Sequence, residues 1–189
     1  MNEIKGKFEN KKLIYFAFIS SFILYFFTFK FYNSELPNKN NITEIKGIIK
    51  ENISIKKGRK GSRTLIIKLR EYPKINFTIG SVSLRQTYEE KLLNENKLGD
   101  SIILFIENEE YKRKILKTEK IPFPENILHP EKISIVEINS KNFSYLTLND
   151  YNKEHKENNY LAIAFFGLFG ILMTFLGIKG IEYQKKNFK

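Results

Sequence analysis

The sequence contains no cysteine and only two histidines among its 189 residues. Without cysteine, the chain has no disulfide, no thiolate metal site and no cysteine nucleophile. His129 and His155 stand far apart in the sequence and fit neither an H-x-x-x-H nor an H-E-x-x-H spacing. We therefore predict no metal-binding residue and no cofactor.

Common catalytic motifs are also absent from the sequence. There is no G-x-S-x-G elbow, and no serine stands near a recognisable base. The carboxylate pairs Glu89–Glu90 and Glu109–Glu110 are adjacent, and adjacent side chains on a helix point about 100° apart. We predict a non-enzymatic protein with no catalytic residue. An enzyme whose site assembles only in three dimensions is one alternative.

Two long apolar runs without charge lie near the ends of the chain, at residues 13–29 and 160–178. With the flanking residues 30–32 added to the first, each is long enough to cross a hydrocarbon layer of about 30 Å as a helix. The first run is longer than the roughly 7 to 15 residues of a signal-peptide core, and no small-x-small site follows it. We predict two transmembrane helices and no cleaved signal.

Lysines flank the two runs on their outer sides and predict the orientation of the chain. They are Lys5, Lys7, Lys11 and Lys12 before the first run and Lys179, Lys185, Lys186 and Lys189 after the second. Because positive flanks stay in the cytosol, both termini are predicted to be cytoplasmic and the central segment external or periplasmic. Part of the net charge of +11 therefore reflects topology.

This orientation divides the chain into six predicted segments. They are a cytoplasmic stub at 1–12, a first span at 13–32, an external β-rich domain at 33–148, a helical stalk at 149–159, a second span at 160–178 and a basic cytoplasmic tail at 179–189. Asn149 or Asp150 is expected to cap the stalk helix, because Asn and Asp are favoured N-cap residues.

Between the two runs the apolar pattern changes from a helical period to the alternation of strands. Strands are predicted at 43–55 with a bend at Gly47, and at 65–70, 75–79, 101–106 and 111–116, with a final hairpin of 133–138 and 143–148. Ser83 and Gln86 form a capping-box pattern that predicts one helix between the third and fourth strands. This order is typical of a small OB-type barrel, and an SH3-like barrel fits as well. The predicted fold is therefore a mainly β barrel with one helix, flanked by two transmembrane helices.

Three sequence features together carry a resemblance to a known class of protein. They are the Ile-Lys-Gly-Ile strand at 45–48, the Leu-Gly-Asp-Ser-Ile turn at 98–102, and the YLTLNDYNK segment at 145–153 before the second run. With them the chain resembles uncharacterised bacterial two-span membrane proteins that carry an external small β-domain. The resemblance implies that architecture and a bacterial cell membrane, the inner membrane in a Gram-negative cell, and it carries over no functional residue. The abundance of Asn, Lys, Ile and Phe also favours a bacterial genome rich in A·T.

The densest charge cluster is a basic turn that contains two glycines. Its cations are Lys56, Lys57, Arg59, Lys60 and Arg63. The G-x-x-x-x-G-K-[ST] spacing of a phosphate loop is absent, so the cluster is either a solvated hairpin tip or a contact for lipid headgroups or an anionic envelope polymer. We expect no nucleic-acid partner, because the segment is predicted to be external.

Small residues fall on one face of each apolar run. They are Ala17, Ser20, Ser21 and Thr28 in the first run and Gly167, Gly170, Thr174 and Gly177 in the second. Small faces let helices approach closely, so we predict helix–helix packing within the chain or, alternatively, between copies as an oligomer. No ionisable residue lies deep in either run, which argues against an ion pathway.

These patterns predict a location and a class of protein, and they do not name an activity. We expect an integral membrane protein that presents an external binding or interaction module. Its predicted partners are the lipid bilayer and another envelope or membrane protein. A membrane regulator or immunity-type protein that acts through its spans is the alternative in a different class.

Overall fold

The structure, a computed structural model, describes residues 2–140 and 143–187. The described residues form two compact units. One contains the residues up to Glu35 together with those from Glu157 onward, and the other is Leu36–Lys156.

The elements follow one another along the chain as helix, sheet and helix. In order they are α1 (Asn2–Tyr32), β1 (Ile42–Ile48), β2 (Ser54–Lys57), β3 (Arg63–Ile67), β4 (Asn76–Ile79), α2 (Ser81–Leu84), α3 (Glu89–Glu95), β5 (Ser101–Glu107), α4 (Asn108–Glu110), α5 (Glu125–Leu128), β6 (Lys132–Asn139), β7 (Ser144–Leu146) and α6 (Leu148–Asn187). A 3-10 turn, Arg59–Gly61, joins β2 to β3, and a π-helix, Tyr111–Leu116, follows α4.

The predicted helices over both apolar runs are confirmed. Lys11–Tyr32 of α1 and Leu148–Asn187 of α6 are long and apolar enough to cross a membrane by length and composition. Only 17% and 11% of their most apolar windows are buried, so the apolar side chains of both helices largely face outward.

Helix α6 begins before the second apolar run, and Thr147 caps it. The backbone N–H of Asp150 donates to Thr147 Oγ1 at 3.1 Å, and Thr147 Oγ1 donates to Asp150 Oδ2 at 2.6 Å. This reciprocal pair satisfies one of the unpaired N–H groups of the first turn. The prediction that Asn149 or Asp150 is the N-cap is therefore wrong by two or three residues.

The sheet of the second unit is mixed, with the strand order β1-β5-β6-β4-β3-β2 and with β7 paired to β6. Strands β4 and β6 run parallel, and the other neighbouring pairs are antiparallel. Alternate residues of β1, β3 and β5 point to the apolar core, as the pleat of a strand requires. The core side chains with the least exposure include Ile45, Leu65, Ile67, Phe77, Ile102, Leu104, Ile106, Ile133 and Ile138.

The predicted OB- or SH3-like barrel is wrong, because the seven strands of the described residues form an open sheet. The predicted strand at 43–55 is in fact two elements, β1 and β2, and β2 pairs along the whole of β3. Strand β2 is therefore the edge strand beside β3. Contact between β1 and β3 is reduced to one bridge, Ile49 with Leu69, just beyond the two strands.

Three other local predictions are wrong. The segment predicted as a strand at 111–116 is the π-helix, and the single predicted helix is split into α2 and α3. Ser83 does not cap a helix, because its hydroxyl is bonded to His155.

The predicted strands at 65–70, 75–79 and 101–106 contain β3, β4 and β5, and the final hairpin is β6 with β7. Two residues of its predicted turn, 141 and 142, lie outside the described residues.

Candidate functional site

The basic turn predicted from the sequence is the tip of the β2–β3 hairpin. Lys56 and Lys57 end β2, where they pair with Thr64 and Arg63 of β3. Arg59 and Lys60 lie in the intervening 3-10 turn. The turn is tight because the backbone is left-handed at Lys60, with φ 56°, and at Gly61, with φ 76°. All five predicted cations are exposed, so the tip presents a dense positive charge to solvent.

Arg63 differs from the other four cations, because contacts within the unit already hold it. One guanidinium nitrogen lies 2.5 Å from Glu89 Oε1, and the backbone of Arg63 exchanges two 2.8 Å hydrogen bonds with Ser81 Oγ. These contacts fasten β3 to α2 and α3. The remaining cations of the predicted set are therefore the ones available to a ligand at the tip.

A cleft of about 730 Å³ adjoins the hairpin on the sheet face opposite the core. Its lining residues are Glu51, Ser54, Ile55, Lys56, Thr64, Ile66, Lys68, Asn76, Thr78, His129 and Lys132. Thr64 and Ile66 alternate along β3 with the core residues Leu65 and Ile67, so they face away from the core. Lys56 lines the cleft and also belongs to the tip, which makes the two basic regions continuous.

The charges of the cleft are mostly positive. Lys56, Lys68 and Lys132 contribute three ammonium groups against the single carboxylate of Glu51. Lys68 Nζ lies 3.1 Å from a carboxylate oxygen of Glu51, which neutralises one of the three. Hydroxyl and amide groups lie between these charges, as expected of a site that binds phosphate or carboxylate oxygens.

Of the three lysines in the cleft, Lys56 is among the residues predicted from the sequence, whereas Lys68 and Lys132 are not. A signal for Lys68 was present, because the alternation at 65–70 already placed it on the outward face with Ile66. Lys132 had no such signal. It joins the cleft only because β6 runs parallel to β4, with Lys132 beside Asn76.

A second group of charges surrounds Lys114, whose side chain is 1% exposed. Its ammonium lies 2.8 Å from Glu110 Oε1 and 2.5 Å from Glu125 Oε1, and it also donates to the carbonyl of Lys132. Burial alone would raise the pKa of Glu125, but the hydrogen bond and charge of Lys114 lower it overall. The three N–H donors of this ammonium therefore each have an acceptor within the unit. These contacts hold the long β5–β6 connection against the start of β6.

The structure also brings together a serine and a histidine that the sequence did not connect. Ser83 Oγ lies 2.9 Å from Nε2 of His155, 72 residues further along the chain. The His155 ring stacks on Tyr151 with 4.1 Å between ring centroids, and burial lowers the pKa of His155 although Glu154 opposes this. Ser83 is only 3% exposed, so a substrate cannot reach its hydroxyl in this state. The pair therefore packs α2 against α6.

Other buried polar groups in this region are paired as well. Glu154, 6% exposed, accepts from Gln86 at 2.9 Å and pairs with Arg85 at 2.8 Å. Burial, and then the charges of Glu107 and Glu110, raise the pKa of Tyr151. In the part of the chain that the structure describes, no three His, Asp or Glu side chains are grouped so as to hold a metal ion.

The small residues predicted to pack lie along the contact between α1 and α6. Ser21 Oγ lies 2.6 Å from Thr174 Oγ1 and donates to the carbonyl of Gly170 at 3.2 Å. Ala17 is 7% exposed and Ser20 is half-buried. Thr28 Cγ2 is 3.9 Å from the position of a Cβ added to Gly167. Residues of increasing number along α1 contact residues of decreasing number along α6, so the two helices are antiparallel.

Three glycines of α6 accept larger side chains of α1. A Cβ added to Gly170 would lie 2.8 Å from Tyr25, and one added to Gly177 would lie 3.0 Å from Phe18. Gly180 accepts Ile14 in the same way, at 2.7 Å. Gly180 was missed because it follows Lys179, beyond the end of the apolar run, although it continues the same glycine spacing.

No protein-family model and no curated protein sequence matches this chain. The resemblance to bacterial two-span proteins therefore stays a prediction. Any functional proposal rests on the chain's own residues and contacts.

Proposed function

We propose that this chain is an integral membrane protein whose central unit binds an anionic ligand and catalyses no reaction. The helices α1 and α6 are the anchor, and the cleft with the adjoining hairpin tip is the binding site. The single observation that carries the proposal is the convergence of Lys56, Lys68 and Lys132 in one cleft.

The ligand class follows from the chemistry of the lining. Ammonium groups beside hydroxyl and amide groups suit a polymer that carries phosphate or carboxylate at intervals. Among the residues that line the cleft there is no Phe, Tyr or Trp, the side chains on which single-stranded nucleic acids usually stack. An anionic envelope polymer, or an acidic surface on another envelope protein, is therefore a better match than nucleic acid.

The orientation rests on the lysines that flank the apolar runs. Their excess at both ends supports cytoplasmic termini, which leave the central unit on the external or periplasmic side of a bacterial cell membrane. An anionic polymer of the cell envelope is accessible on that side.

The proposal is tested with the full chain in phosphatidylcholine nanodiscs and inorganic polyphosphate as the probe. We expect the variant Lys56→Gln/Lys68→Gln/Lys132→Gln to bind at least about tenfold more weakly near 0.1 M salt, with the slope of log affinity against log salt reduced by about 1.4, since Glu51 already pairs with Lys68. Each protein cation that contacts the polymer releases about 0.7 counterions from a flexible polyanion. The variant lacks these contacts, so its binding releases fewer counterions and depends less on salt.

The matched control is Lys39→Gln/Lys74→Gln/Lys153→Gln, which removes the same charge from exposed positions outside the cleft. It is expected to retain most of the affinity. Equal losses in the two variants would mean that net charge alone drives binding, and would contradict a localised site.

A further inference from the structure

The connection between β5 and β6 carries three large apolar side chains on its surface. Phe123 is 80% exposed, Ile127 is 69% exposed and Leu128 is 62% exposed. Clustered apolar exposure of this kind is typical of an interaction surface, whereas single exposed apolar residues are common on any protein.

Backbone hydrogen bonds hold the three side chains on one turn. Asn126 N–H donates to the carbonyl of Pro122 at 3.1 Å, and Leu128 N–H donates to that of Pro124 at 3.1 Å. Phe123 lies just before the single helical turn Glu125–Leu128, which carries Ile127 and Leu128. We refer to residues 122–128 as the apolar turn.

The charges beside the apolar turn favour an anionic partner. Glu119 is within 3.7 Å of Lys112 and 3.8 Å of Arg113, and Glu125 pairs with Lys114. The carboxylates of Glu119 and Glu125 are therefore balanced by cations of the preceding π-helix, and the exposed Lys117 and Lys120, six and three residues before Phe123, add positive charge to this connection.

We propose that the apolar turn inserts into the interface of an anionic lipid bilayer, with Lys117 and Lys120 against the lipid phosphates. Apolar and aromatic side chains beside lysines are the usual composition of such interfacial segments. The inference rests on the proposed membrane anchor, because a tethered surface meets the bilayer at high effective concentration and needs little affinity of its own. A soluble protein partner has no comparable tether.

The test uses Phe123→Trp, which introduces the sole tryptophan of the full chain. The protein is reconstituted in nanodiscs of phosphatidylcholine with phosphatidylglycerol, with or without bromine-labelled acyl chains. An interfacial residue lies roughly 5–10 Å into the headgroup boundary, so we expect blue-shifted emission and the loss of about half of it to the bromines.

Leu98→Trp is the matched control, because Leu98 is an apolar residue 57% exposed on a different turn. Its emission is expected to stay that of a water-exposed indole without quenching. Adding Lys117→Gln/Lys120→Gln to Phe123→Trp should reduce the quenching in discs that contain phosphatidylglycerol and leave it unchanged in phosphatidylcholine alone.

The outcomes separate this inference from the proposed function. If the protein is embedded but Phe123→Trp emits like Leu98→Trp, lipid insertion of the apolar turn is overturned and the anchor stands. If quenching is equal in both lipid mixtures, insertion is supported and the role of the two lysines is overturned. If alkaline washing strips the protein from lipid, the membrane anchor fails, and this inference fails with it.

Discussion

At the scale of single residues, buried polar contacts connect parts of the chain that the apolar pattern does not relate. Ser83 bonds to His155, and Lys114 holds Glu110 and Glu125. A buried polar group without a partner costs more free energy than its hydrogen bond contributes, so each such pair strongly favours one arrangement of the chain. These contacts hold α2 against α6 and fix the path of the β5–β6 connection.

His155 is predicted to make stability depend on pH. Burial lowers the pKa of His155 in the folded state, so the unfolded chain binds this proton more readily. The contribution of neutral His155 to the stability of the fold is fully present above the pKa of His155 in the unfolded chain, about 6.5. It is lost as the pH falls towards the lower pKa of His155 in the folded protein. We expect the thermal midpoint to fall between about pH 7.5 and 5.5, and His155→Gln to remove much of this fall.

The control is His129→Gln, which changes the other histidine of the chain, an exposed residue of the cleft. It should keep the pH dependence of the unchanged protein. Burial raises the pKa of Glu107, and that carboxyl acts in the opposite sense, because it favours the folded state as the pH falls. The difference between the two variants therefore isolates His155. Equal pH profiles for the two variants would contradict the assignment.

At the scale of elements, the contact between α1 and α6 depends on residues of unequal size. Glycines of α6 leave space that Tyr25 and Phe18 of α1 fill, and Ser21 and Thr174 satisfy each other's hydroxyl groups. In a lipid environment, close packing and such hydrogen bonds are what hold helices together, because lipid tails are as apolar as the side chains. The sequence indicated these faces from the small residues, but it could not identify which large side chains they receive.

The antiparallel pairing predicts a specific cross-link. In the cysteine-free chain, Ser21→Cys/Thr174→Cys should form an intramolecular disulfide under mild oxidation, since the two hydroxyl oxygens are 2.6 Å apart. Electrophoresis without reductant measures the yield. The control Phe22→Cys/Thr174→Cys places one thiol on a side chain that is 75% exposed, and it should react poorly.

A mainly intermolecular product from Ser21→Cys/Thr174→Cys would contradict pairing within the chain. It would favour self-association through the same faces, the alternative that the sequence left open. Dilution separates the two, because the yield of an intramolecular disulfide does not depend on protein concentration.

At the scale of the whole molecule, an even number of membrane crossings requires both termini to be on one side. The lysines outside the two apolar runs predict that this side is the cytosol. A reporter fused after residue 189 should be inaccessible to protease in intact cells. Leu98→Cys, an exposed position of the central unit and the sole thiol of the variant, should react with a membrane-impermeant maleimide.

We expect both results in the same cells: a C-terminal reporter protected from external protease and a Leu98→Cys labelled by the impermeant maleimide. A C-terminal reporter cleaved from outside, or a Leu98→Cys that reacts only after lysis, would contradict the orientation. Either result would also remove the anionic envelope polymers from the ligands that can reach the cleft.

The sequence by itself determined the properties that depend on neighbouring residues. Runs of uncharged apolar residues indicated the two long helices, alternation indicated β3 and β4, and a short continuous apolar run indicated β5, because helix length and strand pleat are local features. The absence of cysteine excluded disulfides and thiolate sites whatever the arrangement of the chain in space.

Only the tertiary structure decided how distant segments pair. Strand β2 is the edge strand beside β3 in an open sheet, and the parallel pair of β4 and β6 brings Lys132 to Lys56 and Lys68. His155 reaches Ser83 across 72 residues in the same way. Such pairings depend on competition between strands and on the burial of polar groups across the whole unit. Patterns of neighbouring residues do not predict which distant segments will pair.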